Sequence, residues 1–276
     1  MLGGDAGAAP RAVESALATP GDPQVAAFFD VDNTIMQGAS MFHLAQGMYR
    51  RRFFTARDVV GFAWMQARLR LAGENAAHVE KSRSSALSFI AGHRVEDLEL
   101  VIEEIFDEAM HHRIWPGTRA LAQLHLDRGE RVWLVTAAPV ELAELIARRM
   151  GLTGALGTVA ESVDGVYTGR LVGDLLHGPE KAEAVLALAE REGLDLARCS
   201  AYSDSSNDLP MLSLVGNPCA VNPDKRLFNH ARQHGWQVRD YRTGRKAARA
   251  GMVLTGLGGA VTGAVAAGVA LRGRRR

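Results

Sequence analysis

Residues 25–34 read VAAFFDVDNT, an apolar run that ends at two aspartates, Asp30 and Asp32. A short apolar run with a polar end is typical of a buried strand in a parallel sheet. Similar runs lead into Thr136 and into Asp204, and a weaker one, Cys-Ala-Val, lies further along the chain. The sequence therefore predicts four parallel strands with polar side chains at the ends of the first three.

Helical segments separate these predicted strands. They cover residues 118–128, 140–150 and 179–192, and a glycine follows each one. Glycine is strongly enriched just past the end of a helix. The alternation of strand and helix predicts an α/β fold, a Rossmann-like parallel sheet with helices on both faces.

A long helical insert separates the first predicted strand from the second. Within residues 41–112 the apolar side chains follow helical spacing, as at Leu98, Ile102 and Ile105. Ligands of open α/β sheets bind at the carboxyl ends of the strands, so an insert there would cover the site as a cap. We expect a core of residues 24–40 and 113–240 and a cap of residues 41–112.

Both ends of the chain differ from this core. Residues 1–23 are rich in Gly, Ala and Pro, lack the pattern of a signal peptide, and are predicted to form a mobile leader. Residues 251–271 carry no charge and have basic residues on both sides. A helix of this length can span a ~30 Å apolar core. We expect an apolar C-terminal helix over 250–272 as a membrane anchor; the alternatives are a helix on the membrane surface or one packed on the protein.

Charge and cysteine content restrict the partners and the compartment. Lys and Arg number 32 against 31 Asp and Glu, so the net charge of +1 argues against a nucleic-acid partner. Two cysteines provide no disulfide scaffold and suit a reducing compartment. We therefore expect a cytoplasmic protein, either free or attached to the inner face of a membrane.

The polar groups after the strands predict a metal-assisted phosphate site. The α/β layout brings together Asp30, Asp32, Thr136, Asp204, Asp208 and Lys181, the last in the first turn of a helix. Converging carboxylates repel one another, and Mg²⁺, which prefers oxygen ligands, relieves that repulsion. A hydroxyl and a lysine beside the metal suit a dianionic phosphate.

These motifs resemble those of the haloacid dehalogenase superfamily of phosphohydrolases. The DVDNT stretch is similar to its D-x-D-x-T signature, Thr136 to its second motif and Lys181 to its third. Residues 203–212, SDSSNDLPML, resemble the fourth motif of subfamily IB, the phosphoserine-phosphatase-like branch. The resemblance implies a Mg²⁺-dependent phosphatase that forms an aspartyl-phosphate.

The same resemblance implies a role for each site residue. Asp30 would attack phosphorus, and Asp32 would act as the general acid and base. Thr136, Lys181 and Asn207 would bind the phosphate oxygens.

The implied metal ligands are Asp30, the backbone carbonyl of Asp32, and Asp204. Asp208 would either hold a metal-bound water or orient Lys181. Taken alone, each of these carboxylates also fits an ordinary turn or helix start.

The substrate stays open at this stage. Phosphoserine phosphatases of this type carry a Glu nine residues after the nucleophile, to meet the ammonium group, and this chain has Ala39 there. Three functions follow: hydrolysis of a small phosphomonoester, phosphoserine or another; hydrolysis or transfer of a lipid phosphate at a membrane; and a non-catalytic regulatory role. The intact set of Asp, Thr and Lys argues against the third.

Overall fold

The computed structural model describes residues 21–53 and 90–242 and confirms the α/β fold. Its strands are β1 (Ala26–Phe29), β2 (Arg131–Pro139), β3 (Gly154–Thr158), β4 (Ala160–Val163), β5 (Val166–Leu171), β6 (Ser200–Ser203), β7 (Asn217–Val221) and β8 (Gln237–Arg239). Its α-helices are α1 (Ser40–Arg50), α2 (Val95–Ile105), α3 (Pro116–Asp127), α4 (Val140–Met150), α5 (Pro179–Glu192), α6 (Leu209–Leu212) and α7 (Lys225–Gln233).

Six strands form the main sheet in the order β3-β2-β1-β6-β7-β8. Strand β1 pairs in parallel with β2 on one side and β6 on the other. From β1 the chain adds β2 and β3 on one side of the sheet, and from β6 it adds β7 and β8 on the other side. The topological switch point therefore lies between β1 and β6. In doubly wound sheets the ligand crevice opens at the carboxyl ends of the strands on either side of such a point.

Strand β1 is buried on both faces, as a central parallel strand requires. Phe28 packs into the apolar core formed by α5, α6 and α7. Phe29 points to the opposite face, where its ring stacks on Tyr202 at a centroid distance of 4.2 Å. The hydroxyl of Tyr202 lies 2.7 Å from Nε2 of His125 on α3, so even this polar group is partnered inside the core.

The insert leaves and re-enters the core through two adjacent segments. Gln37 N–H donates to the carbonyl of Arg113, and Trp115 N–H donates to that of Ile35. Between them lie α1 and α2, which continues through a π-helical turn, Phe106–Met110, and a 3-10 turn, His111–Arg113. The helical insert after β1 is thus present. The cap boundaries of 41–112 stay a prediction, because its middle lies outside the described residues.

A β-hairpin that the sequence reading did not predict follows β3. Strands β4 and β5 pair antiparallel around Asp164 and Gly165, both of which have positive φ, at 49° and 74°. Positive φ at both turn residues is the type I′ geometry that Asp-Gly favours. Segment 92–95, which leads into the first residue of α2, pairs with β5, since Tyr167 N–H donates to the carbonyl of His93.

Strand β2 also differs from its prediction. It continues past Thr136 to Pro139, with a register shift against β3 between Val135 and Pro139. Thr136 therefore lies within the strand, because β3 extends the pairing beyond the apolar run that marked the strand in the sequence.

Residues 1–20 of the predicted leader and the predicted C-terminal helix lie outside the described residues. The last three residues of the predicted leader, 21–23, are described and contact the core, because Arg198 donates to the Asp22 carboxylate and Arg131 to the carbonyl of Pro23. The contacts divide the chain into a unit up to Val238 and a second unit from Arg239 onward. None of the helices in the described part is both long and apolar enough to cross a membrane.

The contact between α1 and α2 leads to a first testable prediction. A Cβ built on Gly47 would lie 2.6 Å from side-chain carbons of the buried Ile105. Ala gains up to about 1 kcal/mol over Gly in a helix, but overpacking costs about 1–3 kcal/mol. We expect Gly47→Ala to lower the free energy of unfolding in urea by about 1 kcal/mol.

Two further variants test the cause. Gln46→Ala, at an exposed position of the same helix, should leave stability within about 0.5 kcal/mol of the parent. Combining Gly47→Ala with Ile105→Ala should cost less than the two single losses together, because the second change makes room for the new methyl group. A gain of stability in Gly47→Ala alone would contradict the close packing.

Candidate active site

Strand register places three of the predicted site residues at one edge of the sheet. Phe29 pairs with Leu134 of β2 and with Tyr202 of β6. Asp30 follows Phe29, so Thr136 and Asp204 each lie one residue beyond its level, on the two neighbouring strands. The switch point therefore has a carboxylate in the centre with a hydroxyl on one side and a second carboxylate on the other.

Lys181 enters this group from α5. Its Nζ donates to Asp30 Oδ1 at 2.6 Å and to Asp208 Oδ2 at 2.9 Å. Lys181 is 3% exposed, Asp30 5% and Asp208 2%, so the three charges are almost fully removed from water. A buried ammonium needs such partners, because an unpaired buried charge is costly.

The start of α5 explains how a lysine reaches this position. Gly178, with a φ of 62°, precedes the helix, and Pro179 opens it. Lys181 is therefore in the first turn, and its backbone N–H donates to the carbonyl of Gly178 at 3.2 Å. Burial lowers the pKa of Lys181, but the charges of Asp30 and Asp208 outweigh burial and hold it above its ordinary value.

The carboxylates of Asp30 and Asp204 are crowded and short of positive charge. Burial raises the pKa of Asp30 to about 6, with Lys181 opposing the shift and Asp208 adding to it. Burial also raises the pKa of Asp204 to about 7, and the charge of Asp30 contributes. Both groups would gain from a further cation beside them, since a nearby positive charge favours the ionised form.

Asp208 is held from two sides. Its Oδ2 accepts hydrogen bonds from Lys181 and, at 2.7 Å, from the hydroxyl of Ser203 at the end of β6. Of the two roles left open by the sequence, orienting Lys181 is the one that these contacts support.

The other two predicted residues occupy more open positions. Asp32 is half-buried, and its Oδ1 accepts from the backbone N–H of Ser40 at the start of α1, at 2.8 Å. Asn207 lies in a 3-10 turn, Ser206–Asp208, and is exposed. Its backbone N–H donates to Ser205 Oγ at 3.2 Å.

Sequence reasoning missed three residues that shape the site. The Asn33 side chain, on a residue with a φ of 55°, hydrogen-bonds to Asp204 and also accepts from Gly38 N–H. Asn222, also at positive φ, donates its amide to the carbonyl of Asn33 at 2.9 Å. Only tertiary structure brings these two asparagines together.

Asp224 is the third of these residues. Its Oδ1 accepts from Leu227 N–H and caps α7, and its Oδ2 accepts from Ser206 N–H, each at 2.7 Å. Burial raises the pKa of Asp224, but these hydrogen bonds outweigh burial, and the pKa lies below its ordinary value. The Asn-Pro-Asp stretch at 222–224 is a helix-start signal that could have revealed the cap.

The donor set fits a hard cation that keeps most of its waters. Among the described residues, no three His, Cys, Asp or Glu side chains are grouped so as to enclose a metal ion. Mg²⁺ does not require such a cage, since it binds through one or two carboxylates together with water and substrate phosphate. Asp30 and Asp204, which are short of positive charge, provide two such carboxylates.

Comparison with known proteins settles the family. Residues 27–213 match the family profile of haloacid dehalogenase-like hydrolases. The chain belongs to the haloacid dehalogenase-like hydrolases. The family predicted from the motifs is therefore confirmed, and with it that this protein is an enzyme.

Relatives include proteins named as phosphatases. The chain is 58% identical over 249 residues to a protein named phosphoserine phosphatase SerB1 of Mycobacterium tuberculosis, covering 90% of this chain and 81% of that one. It is 29% identical over 224 residues to a histidinol-phosphatase of Neisseria meningitidis, covering 78% and 98%. A crystal structure of a Bordetella pertussis protein is similar, with a TM-score of 0.69 and 28% identity over 79% of this chain and 99% of the other.

Asp224 provides a prediction for this hydrolase. Losing a helix N-cap costs about 0.5–2 kcal/mol, and this carboxylate also holds the loop that carries Asp208. We expect Asp224→Ala to lower the free energy of unfolding by about 1–2 kcal/mol. Asp224→Asn keeps one of the two acceptor oxygens, so it should lose less than Asp224→Ala. Equal losses of the two variants in urea denaturation would show that the retained oxygen does not cap the helix.

Proposed function

We propose that this phosphoric monoester hydrolase works through an aspartyl-phosphate on Asp30 and depends on Mg²⁺. The observation that carries the proposal is the buried contact between Lys181 and Asp30, 2.6 Å long, at the switch point of the sheet. The ammonium holds one oxygen of the carboxylate in place, while Asp30 remains at the open edge of the sheet. Similarity to proteins named as phosphatases supports the same class of reaction.

The first half-reaction forms the covalent intermediate. A carboxylate oxygen of Asp30 attacks phosphorus, and the bond between phosphorus and the leaving oxygen breaks. Asp32, two residues further and half-buried, gives a proton to the departing alcohol. Lys181 and Thr136 bind the equatorial oxygens, which carry the negative charge of the transition state. Asn207 adds a donor from the loop after β6.

The second half-reaction restores the enzyme. Asp32, now ionised, takes a proton from water, which attacks phosphorus and releases Asp30 as a carboxylate. Asp208 and Ser203 act through Lys181, because they hold its ammonium against Asp30.

Four residues are proposed to hold the metal. Asp30 and Asp204 would be direct ligands, and the backbone carbonyl of Asp32 would be a third. Asp208 would not touch the metal itself and would act either through a metal-bound water or by orienting Lys181. When bound, Mg²⁺ supplies positive charge to the phosphate oxygens and helps to orient them. The expected substrate is a small phosphorylated molecule; phosphoserine, from the name of the SerB1 relative, is one to test.

Replacing the two motif aspartates tests the mechanism. Asp30→Asn should abolish hydrolysis of p-nitrophenyl phosphate, because an amide is a poor nucleophile. Asp32→Asn should lower turnover by about 10²–10⁴-fold, which is the usual contribution of general acid-base catalysis. Part of the initial burst of p-nitrophenol, which accompanies formation of the aspartyl-phosphate, should be retained. Asp127→Asn, an exposed change on α3, serves as the control and should keep parental activity. Activity of Asp30→Asn near the parental level would refute the mechanism.

Removal of the metal provides a separate test. EDTA should stop hydrolysis and added Mg²⁺ should restore it. Without any substrate, Mg²⁺ should also raise the melting temperature of the parent protein, because it relieves the repulsion between Asp30 and Asp204. Asp204→Ala should lose this shift, and the Asp127→Asn control should keep it. If Mg²⁺ did not change the melting temperature of the parent protein, that result would count against the metal site.

A further inference from the structure

Asn33 connects the two loops that carry the proposed metal ligands. It directly follows Asp32 in the loop after β1, and its side chain hydrogen-bonds to Asp204 in the loop after β6. The side-chain oxygen of Asn33 accepts from Gly38 N–H at 3.1 Å, so its amide NH₂ is the donor to Asp204. A donor that is fixed in this way orients the carboxylate that accepts from it.

The backbone of Asn33 has an uncommon conformation. Its φ of 55° lies in the left-handed region, which asparagine adopts more readily than most residues because its short side chain can hydrogen-bond locally. The local partner is Gly38, whose N–H donates to the Asn33 side chain and whose carbonyl accepts from Asn33 N–H at 3.4 Å. Position 33 therefore calls for a residue that accepts positive φ and also supplies a donor, and asparagine meets both requirements.

A second asparagine fixes Asn33 from the end of the next strand but one. Asn222 follows β7, is 1% exposed, and donates its amide to the carbonyl of Asn33 at 2.9 Å. Two residues further along, Asp224 N–H donates to the carbonyl of Asp204 at 2.8 Å. Segment 222–224 therefore holds the loop after β1 through its first residue and the loop after β6 through its last.

We propose that Asn33 is a positioning residue for the metal site, which holds the Asp204 carboxylate in the orientation that Mg²⁺ needs, and that Asn222 holds Asn33 in place. The proposal rests on the phosphatase function above and on its metal site. Neither asparagine would touch the cation or the phosphate, because both act through Asp204. Loss of a hydrogen-bond partner behind a metal ligand typically weakens metal binding about 10–100-fold.

The orientation of Asp204 matters because the site places it beside a second carboxylate. Like charges repel, and Mg²⁺ also demands close to ideal octahedral geometry from its ligands. Lys181 already anchors Asp30, through a contact of 2.6 Å. The hydrogen bond from Asn33 gives Asp204 a corresponding anchor, which opposes the tendency of the two carboxylates to turn away from each other before the cation binds.

Calorimetric titration of Mg²⁺ into the full-length protein without substrate tests the proposal. Asn33→Gly removes the amide and keeps a residue that adopts positive φ without strain, so we expect the Kd for Mg²⁺ to rise about 10–100-fold. Asn222→Gly should raise the Kd by less, because the bond between Asn33 and Asp204 is still present. The matched control is Asp164→Gly, in the exposed hairpin turn with a φ of 49°, which should leave the Kd within about twofold.

The Mg²⁺ dependence of p-nitrophenyl phosphate hydrolysis separates positioning from a general loss of structure. In Asn33→Gly the Mg²⁺ concentration for half-maximal activity should rise by the same factor as the Kd. Raising Mg²⁺ in that proportion should return kcat to within about twofold of the parent, because mass action refills the site. A variant with a damaged fold would instead lose kcat at every Mg²⁺ concentration. Urea denaturation in EDTA verifies that each variant is folded before Mg²⁺ is added.

The outcomes that overturn this inference differ from those that overturn the phosphatase function. If the parent binds Mg²⁺ and Asn33→Gly binds it with the same Kd, the positioning role is refuted and the metal site stands. An equal rise of the Kd in Asp164→Gly, or a kcat of Asn33→Gly that Mg²⁺ does not restore, would also refute it. If the parent neither binds Mg²⁺ nor needs it for hydrolysis, the proposed metal site fails, and this inference fails with it.

Discussion

The buried ammonium of Lys181 needs two carboxylate partners, because it is almost fully removed from water. This requirement determines how the elements at the carboxyl end of the sheet are positioned. Its partners come from the end of β1 and from the loop after β6, while the lysine itself comes from α5. A buried charge that loses its partner costs about 3–5 kcal/mol, so the three elements are held in one arrangement. The two charged contacts of Lys181 thereby fix the position of the Asp30 carboxylate, the proposed nucleophile.

This arrangement leaves the site with more negative than positive charge. Lys181 neutralises one of the carboxylates around it, and the raised pKa values of Asp30 and Asp204 reflect the remainder. The proposed divalent cation would improve this balance, and a dianionic phosphate would then meet positive charge from the cation and from Lys181. The repulsion among the carboxylates and the proposed attraction for a cation have the same physical origin, which is low solvent exposure at the end of a parallel sheet.

The sequence was sufficient to predict the central strands, the helical insert, the family and the polar residues around the switch point. Each depends on local pattern and chain order: apolar runs that end at Asp30 or Asp204, and a lysine in the first turn of a helix. The hairpin at Asp164 and Gly165 also had a local signal, the Asp-Gly pair, but its short strands contain too few apolar residues to stand out. The Asn33–Asp204 contact and the hydrogen bond from Ser206 N–H to Asp224 join segments far apart in the chain. No local pattern records those contacts.

The pairing of segment 92–95 with the hairpin has a consequence for how the insert fluctuates. Gly92 N–H donates to the carbonyl of Tyr167, Tyr167 N–H donates to that of His93, and Val95 N–H donates to that of Gly165, each at 2.9 Å. Segment 92–95, which leads into α2, in this way pairs with one edge of the hairpin through an isolated antiparallel bridge, so the first turn of α2 cannot fray without breaking these hydrogen bonds. Contiguous hydrogen-bonded segments often open together as one cooperative unit, so we expect the amides of this segment and of the hairpin to exchange with solvent hydrogen at similar opening free energies. The order of the first turn of α2 therefore depends in part on a two-residue turn, Asp164 and Gly165, that lies some seventy residues further along the chain.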